Sequence, residues 1–239
     1  MADKVAARRD FGGPHRHYRV TDSSNSRARE LAEAGAPRGT VVTAGEQTEG
    51  RGRQGRTWTA PAGKALLYSA ILRPLDERHM LLPLAVPIAV AEAVEELRPA
   101  LACRIKWPND IWVEERKLAG ILIEARPQDG WAVIGVGLNL AIAPEEFPPE
   151  LRETATSLDG VGVAEARRAL DSALERWVEA DERDVLERWR ERDALVGREV
   201  GWEEGSGVAD GVDDRGCLIV VTPGGDRLAL GAGEVHLRI

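Results

Sequence analysis

The sequence predicts an α+β fold: a mixed, largely antiparallel sheet flanked by helices, followed by a small antiparallel barrel. Three observations predict it. Strand-length apolar runs are joined by turns too short for helical crossovers, at Asn109-Asp110 and Gln128-Asp129-Gly130, which favours antiparallel pairing. Helical patterning is confined to a few separated segments. After Gly197 the pattern changes to short strands parted by Gly-Ser-Gly, Asp-Asp-Arg-Gly and Pro-Gly-Gly-Asp.

His15 to Val20 reads as a first strand. Ser23, Ser24 and Asn25 offer N-cap chemistry for a helix reaching Gly35, with Ala28, Leu31 and Ala32 inward. Thr40 to Ala44 is a short strand, and residues 45 to 63 form a long Gly-rich loop of the kind that carries function. Ala65 to Leu72 is a buried strand. A buried helix is expected to start after Pro83 and Pro87 and to end near Leu97, because proline breaks helix interiors. Strands follow at Cys103 to Trp107, Ile111 to Val113, Lys117 to Ala125 and Trp131 to Leu140. A Pro- and Glu-rich connector at 143–149 leads to helices at about 164–180 and 183–195, with Trp177, Leu186 and Trp189 facing the core. A boundary near Leu195 divides the chain into 1–195 and 196–239, a division that 239 residues can support.

Composition limits the function. The net charge of −8 argues against a polyanion binder as a whole. Cys103 and Cys217 form no paired motif and the four histidines match no metal spacing, so the chain reads as reduced and cytoplasmic. Met1 to Phe11 lacks a signal-peptide core. The apolar stretch from Met80 to Val94 is shorter than the about 20 residues that span a bilayer, so no membrane partner is expected. Only four of the 32 basic residues are lysines: Lys4, Lys64, Lys106 and Lys117. Where arginine is the default, a retained lysine suggests a compact point charge with a task. Lys4 alone is ascribed to chance.

The charge is also uneven. Residues 50 to 75 carry Arg51, Arg53, Arg56, Lys64 and Arg73 and no acid, while 140 to 200 carry 16 acids against 9 arginines. Gly50-Arg51-Gly52-Arg53-Gln54-Gly55 fits a dinucleotide fingerprint in letters only, since no helix follows and no acid stands at the ribose position. Glycines interleaved with arginines instead suit a loop that closes over an anion. Lys106-Trp107-Pro108-Asn109-Asp110 delivers a cation, an aromatic ring and two oxygen-bearing side chains at one turn, and Lys117 follows on the next strand. Asn-Asp alone is also an ordinary turn pair.

Together with Ser23-Ser24-Asn25, Gln47, Arg56, Lys117-Leu118-Ala119-Gly120 and Gly135-Val136-Gly137-Leu138-Asn139, these motifs resemble the bacterial biotin–protein ligases in order and spacing, and 233–238 resembles the end of their small domain. The resemblance implies a core like that of class II aminoacyl-tRNA synthetases with a C-terminal SH3-like β-barrel. It implies an enzyme that makes biotinyl-5′-AMP from biotin and ATP with Mg2+, then moves biotin to a lysine of a biotin carboxyl carrier protein. It implies biotin contacts from Ser23, Ser24, Asn25, Gln47, Arg51, Gly52, Arg53, Lys117 and Gly120. It implies ATP contacts from Arg51, Arg53, Arg56, Trp58, Lys106, Asn109, Asp110, Lys117 and Asn139. Lys117, Arg53 and Asp110 are the expected catalytic residues, and Asn109 and Asp110 the expected magnesium ligands. Some relatives also repress transcription through an N-terminal helix-turn-helix. Too few residues precede the first strand for one, so no DNA partner is expected, and homodimerisation is left open. The rivals are a lipoate–protein ligase and a non-catalytic biotin- or nucleotide-binding module.

Overall fold

The computed structural model describes residues 11–231 and 235–237. Lys4 and, from the carboxyl-terminal motif, Gly233, Glu234 and Arg238 lie outside the described residues. Seven strands form the larger sheet: β1 (His15–Tyr18), β2 (Val41–Ala44), β3 (Ala65–Leu72), β4 (Arg104–Lys106), β5 (Asp110–Val113), β6 (Arg116–Arg126) and β7 (Trp131–Asn139). Their order is β1-β2-β3-β7-β6-β5-β4; only β1 and β2 run parallel, so the sheet is mixed and largely antiparallel.

The two faces separate cleanly because side chains alternate along a strand. On one face Leu66, Tyr68, Ala70 and Leu72 of β3 and Ala132, Ile134, Val136 and Leu138 of β7 are buried in the main core. That core is covered by α2 (Leu82–Leu97), α3 (Val163–Trp177) and α4 (Glu182–Arg192). On the other face Ile71, Trp131 and Val133 pack under Ala28 and Ala32 of α1 (Ser24–Glu33). Beyond the N-terminal start of α1 this second face opens into a cleft.

Helix α2 corrects the expected start. It begins at Leu82, so Pro83 stands in its first turn and Pro87 inside it. A first-turn proline costs nothing, since its missing N–H has no partner there. Pro87 does forfeit a backbone bond, but nearly all of its neighbours are buried, and apolar contact on every side holds the helix together. Ser23 takes the N-cap position of α1, yet its side chain makes no capping bond; Asp22 Oδ1 accepts from the Ser23 N–H at 2.7 Å. The first strand ends at Tyr18, two residues early.

The second sheet is antiparallel, with strands β8 (Glu199–Trp202), β9 (Gly205–Val212), β10 (Leu218–Val221), β11 (Arg227–Leu230) and β12 (His236–Leu237) in the order β11-β10-β9-β8-β12. Val200, Ala209, Val212, Leu218, Val220 and Val235 join the same core cluster as α2. Trp107 Nε1 reaches across to donate to Gly216 O at 3.1 Å. Among the described residues no helix is long and apolar enough to cross a membrane.

Candidate active site

The cleft has a volume of about 940 Å3, counting space open to solvent. Its floor is the centre of the larger sheet, where Gly120 pairs with Gly137 and Leu122 with Gly135. Its walls are the start of α1, the loop 47–58 and the β4–β5 turn.

One end is a set of hydrogen-bonding groups with fixed polarity. Asn25 Nδ2 lies 3.3 Å from Leu122 O and 2.9 Å from Glu124 Oε2, both acceptors, which orients the amide. Asn25 Oδ1 therefore faces Ser69 Oγ at 2.6 Å and accepts its single proton. Ser24 Oγ, 2.8 Å from Ser69 Oγ, must then donate to it, so its lone pairs face the cleft. Gln47 Oε1 accepts from the Ser24 N–H at 2.6 Å, which turns the Nε2 donors away from α1. This end thus offers an acceptor and donors side by side. Ser23, Ser24 and Asn25 are almost wholly buried. The turn before them is braced by Asp22. Partial burial would raise its carboxyl, but bonds from the Ser23 N–H, the Thr21 hydroxyl and Arg27 hold it below the ordinary range.

The other end is cationic. Arg51, Arg53, Arg56, Lys106 and Lys117 all line the cleft. The loop that carries the arginines is folded on itself. Trp58 N donates to Gly50 O at 2.9 Å and Gly52 N to Arg56 O at 2.7 Å, around a single 3-10 turn at Arg53–Gly55. Arg51 also reaches Glu124 Oε1 at 3.3 Å. Lys117 is held through its backbone by the segment after Leu151: its N–H donates to Thr154 O and its carbonyl accepts from Thr156 N, at 2.7 and 2.9 Å. Its Nζ meets Asp110 Oδ1 at 2.7 Å. Lys106 Nζ stands 5.1 Å from the Trp112 ring centroid. Asn109 Nδ2 donates to Ile121 O at 2.9 Å, pinning the turn.

Trp58 joins the two ends. A Cβ at Gly137 would stand 2.4 Å from its indole, and one at Gly120 2.9 Å. A Cβ at Gly135 would fall 2.1 Å from Asn25 Oδ1. Any side chain at these floor positions would displace a wall of the cleft.

The structure brings together all the expected site residues but one. Asn139 is buried, donates to Thr156 O at 3.0 Å and does not line the cleft, because 154–156 lies over it. Of the five basic residues in the acid-free segment, only the three loop arginines line the cleft. Lys64 pairs with Glu146, and Arg73 donates to Ala32 O and Ala36 O at the end of α1. Ser69, Glu124, Gly135 and Gly137 carry no expected role, although they build the polar end and the floor. For Ser69 a signal existed: it is the lone aliphatic hydroxyl midway along a continuously buried strand.

A polar head pocket joined to a cluster of cations suits a small acid with a hydrogen-bonding head and a phosphorylated co-substrate. The profile of the Biotin/lipoate A/B protein ligase family matches residues 18–140, and the chain belongs to this family. A Mycobacterium tuberculosis protein named biotin--[acetyl-CoA-carboxylase] ligase is 36% identical over 242 residues, covering 91% of this chain and 87% of that protein. The bifunctional ligase/repressor BirA of Bacillus subtilis is 40% identical over 153 residues, 61% of this chain; the match spans under half of that relative, 46%. The solved structure of the Aquifex aeolicus biotin protein ligase in complex with biotin and ATP superposes with a TM-score of 0.77 at 28% identity, over 94% of this chain and 98% of that one.

Proposed function

We propose that this chain activates biotin with ATP to biotinyl-5′-AMP and transfers the biotin to a lysine of a biotin carboxyl carrier protein. The observation that carries this reading is the fixed polarity of the head pocket. A ureido ring has a carbonyl acceptor and N–H donors side by side, which match the Gln47 Nε2 donors and the Ser24 Oγ acceptor. The dithiolane ring of lipoate offers neither and would leave buried polar groups unpaired, at a cost of about 1–3 kcal/mol each.

In the first step the biotin carboxylate attacks the α-phosphorus and pyrophosphate leaves, giving a mixed anhydride. Two anions must meet, so positive charge has to be aimed at the developing charge before they do. Lys117, fixed by its backbone at the mid-cleft, takes that role, with Arg53 and Arg51 closing from the loop. Arg56, Lys106, Trp58, Asn109 and Asp110 make the nucleotide wall; Asn139 contributes only by holding 154–156. Asp110 and Asn109 are the residues that would hold magnesium. Among the described residues no group of three or more His, Cys, Asp or Glu side chains is arranged for a metal. One carboxylate, Asp110, with the Asn109 amide oxygen fits an ion that keeps most of its ligands from phosphate and water. When bound it neutralises phosphate charge. In the second step the amine attacks the biotinyl carbonyl and AMP leaves, and Asp110 orients the amine or accepts its proton. Loop 47–58 keeps water from the anhydride in between.

The strands after Leu195 act as an SH3-like unit backing the nucleotide wall through Trp107 and Val235, and the reaction belongs in the cytoplasm. The test is ATP–pyrophosphate exchange with biotin, with lipoate and without acid, followed by transfer of labelled biotin to a carrier domain. Exchange with biotin alone and labelling of the carrier are expected. Exchange driven by lipoate, or none with either acid, would overturn the reading.

A further inference from the structure

We infer that Glu124 is a positioning residue that latches the basic loop to the head pocket and so sets how long the adenylate is retained. Side chains at alternate positions of β6 share a face, so Gly120, Leu122 and Glu124 form one row. The first two line the cleft, and Glu124 stands at the end of the row, partly buried. Its two oxygens face different walls. Oε2 accepts from Asn25 Nδ2 at 2.9 Å, and Oε1 stands 3.3 Å from Arg51 Nη1. One carboxylate therefore spans from α1 to the loop. From Gly50 to Trp58 the backbone bonds are local, running from Trp58 N to Gly50 O and from Gly52 N to Arg56 O. They give the basic stretch its shape, while its start is anchored by Thr48 N and Glu49 N, which donate to Thr21 O and Asp22 O at 2.9 Å each. Beyond Glu49 the Glu124–Arg51 pair adds a side-chain tie from the basic stretch to the asparagine that orients Ser69 and Ser24. Glu124 reaches the reaction through Asn25 and Arg51, and it acts on the residence of what lies beneath the loop.

The amide variant separates the two contacts. Glu124→Gln keeps an acceptor for Asn25 but loses the charge that holds Arg51. It should speed escape of biotinyl-5′-AMP about two- to fivefold, as fits a partly exposed ion pair, and by a larger factor than it raises the KM for biotin. Glu124→Ala loses both contacts and should raise the KM for biotin as well. In ligand-free protein, trypsin cleavage after Arg53 and Arg56 should quicken by the same two- to fivefold in Glu124→Gln. Arg51→Ala should match it, and the double variant should go no further. The inference rests on biotin adenylation as the reaction, but the trypsin readout does not. Absence of biotin-dependent exchange in the wild type would overturn the reaction, and the latch would still stand or fall by cleavage. Wild-type cleavage in Glu124→Gln, or additive effects in the double variant, would overturn the latch. Should Glu124→Ala fail to fold, Glu124→Gln alone decides.

Discussion

Ser69 lies outside the cleft, is fully buried, and yet decides the polarity of the head pocket. In Ser69→Ala the Asn25 Oδ1 loses its donor at 2.6 Å, and the Ser24 hydroxyl loses its acceptor at 2.8 Å. A buried acceptor left unpaired costs about 1–3 kcal/mol of stability. For a chain of this length that lowers the melting midpoint by about 2–4 °C per kcal/mol. The second effect falls on the ligand. With Ser69 gone, the Ser24 proton has no buried acceptor and turns to the cleft, placing a donor against the ureido N–H. Losing one net hydrogen bond, about 0.5–1.5 kcal/mol, raises the KM for biotin about 2- to 12-fold. Neither residue belongs to the proposed nucleotide wall, so the KM for ATP should hold. The assay is steady-state exchange with each substrate varied in turn, alongside thermal denaturation. An unchanged biotin KM, or equal rises for biotin and ATP, would refute the hydrogen-bond chain drawn from Asn25 to Ser24.

Three further outcomes follow from the same geometry. Lys117→Ala should cut biotin-dependent exchange by at least about 10²-fold with little change in melting, since its side chain is only partly buried; near-normal turnover would remove it from the chemistry. Gly137→Ala places a methyl 2.4 Å from Trp58, so it should lower kcat/KM about tenfold, and far less when Trp58 is already alanine; additive losses would show that the indole does not lie on this floor. Arg192 grips both Glu95 oxygens at 2.7 and 2.8 Å, so Arg192→Ala should cost about 2 kcal/mol, less than a fully buried pair because Glu95 is partly exposed. Burial would raise the Glu95 carboxyl, but the Arg192 fork and the Cys103 N–H hold it below the ordinary range. Its contribution is therefore complete above about pH 4.3 and fades as pH falls through the lower folded value. Acid titration of stability should lose part of that slope in Arg192→Ala, and an unchanged acid limb would exclude the pair as its source.

Most of this site was legible because its signals are local. The arginine-glycine loop, the Lys106–Asp110 turn and Lys117 each declare themselves within a few residues, and antiparallel pairing brings such neighbours together. What escaped depends on distant chain. Ser69 matters because β3 is in register with β7, which sets it opposite Gly135. Glu124 matters because it shares a strand face with Gly120. Asn139 is kept from the cleft by a segment that no local pattern places there. Pro87 misleads for the related reason that packing outweighed propensity: a proline rule describes an isolated helix, and α2 is wrapped by the core.

The Trp107–Gly216 bond and the place of Val235 in the cleft bear on how the protein comes into being. Ser23 to Asn25 leave the ribosome early, the floor and Lys117 midway, and Gly216 and Val235 much later. Until those late strands arrive, Trp107 has no acceptor and the apolar flank of α2 is bare. The last residues of the head pocket, Glu124 and Gly135, are made well before Gly216 and Val235, so it is the nucleotide wall that is completed last.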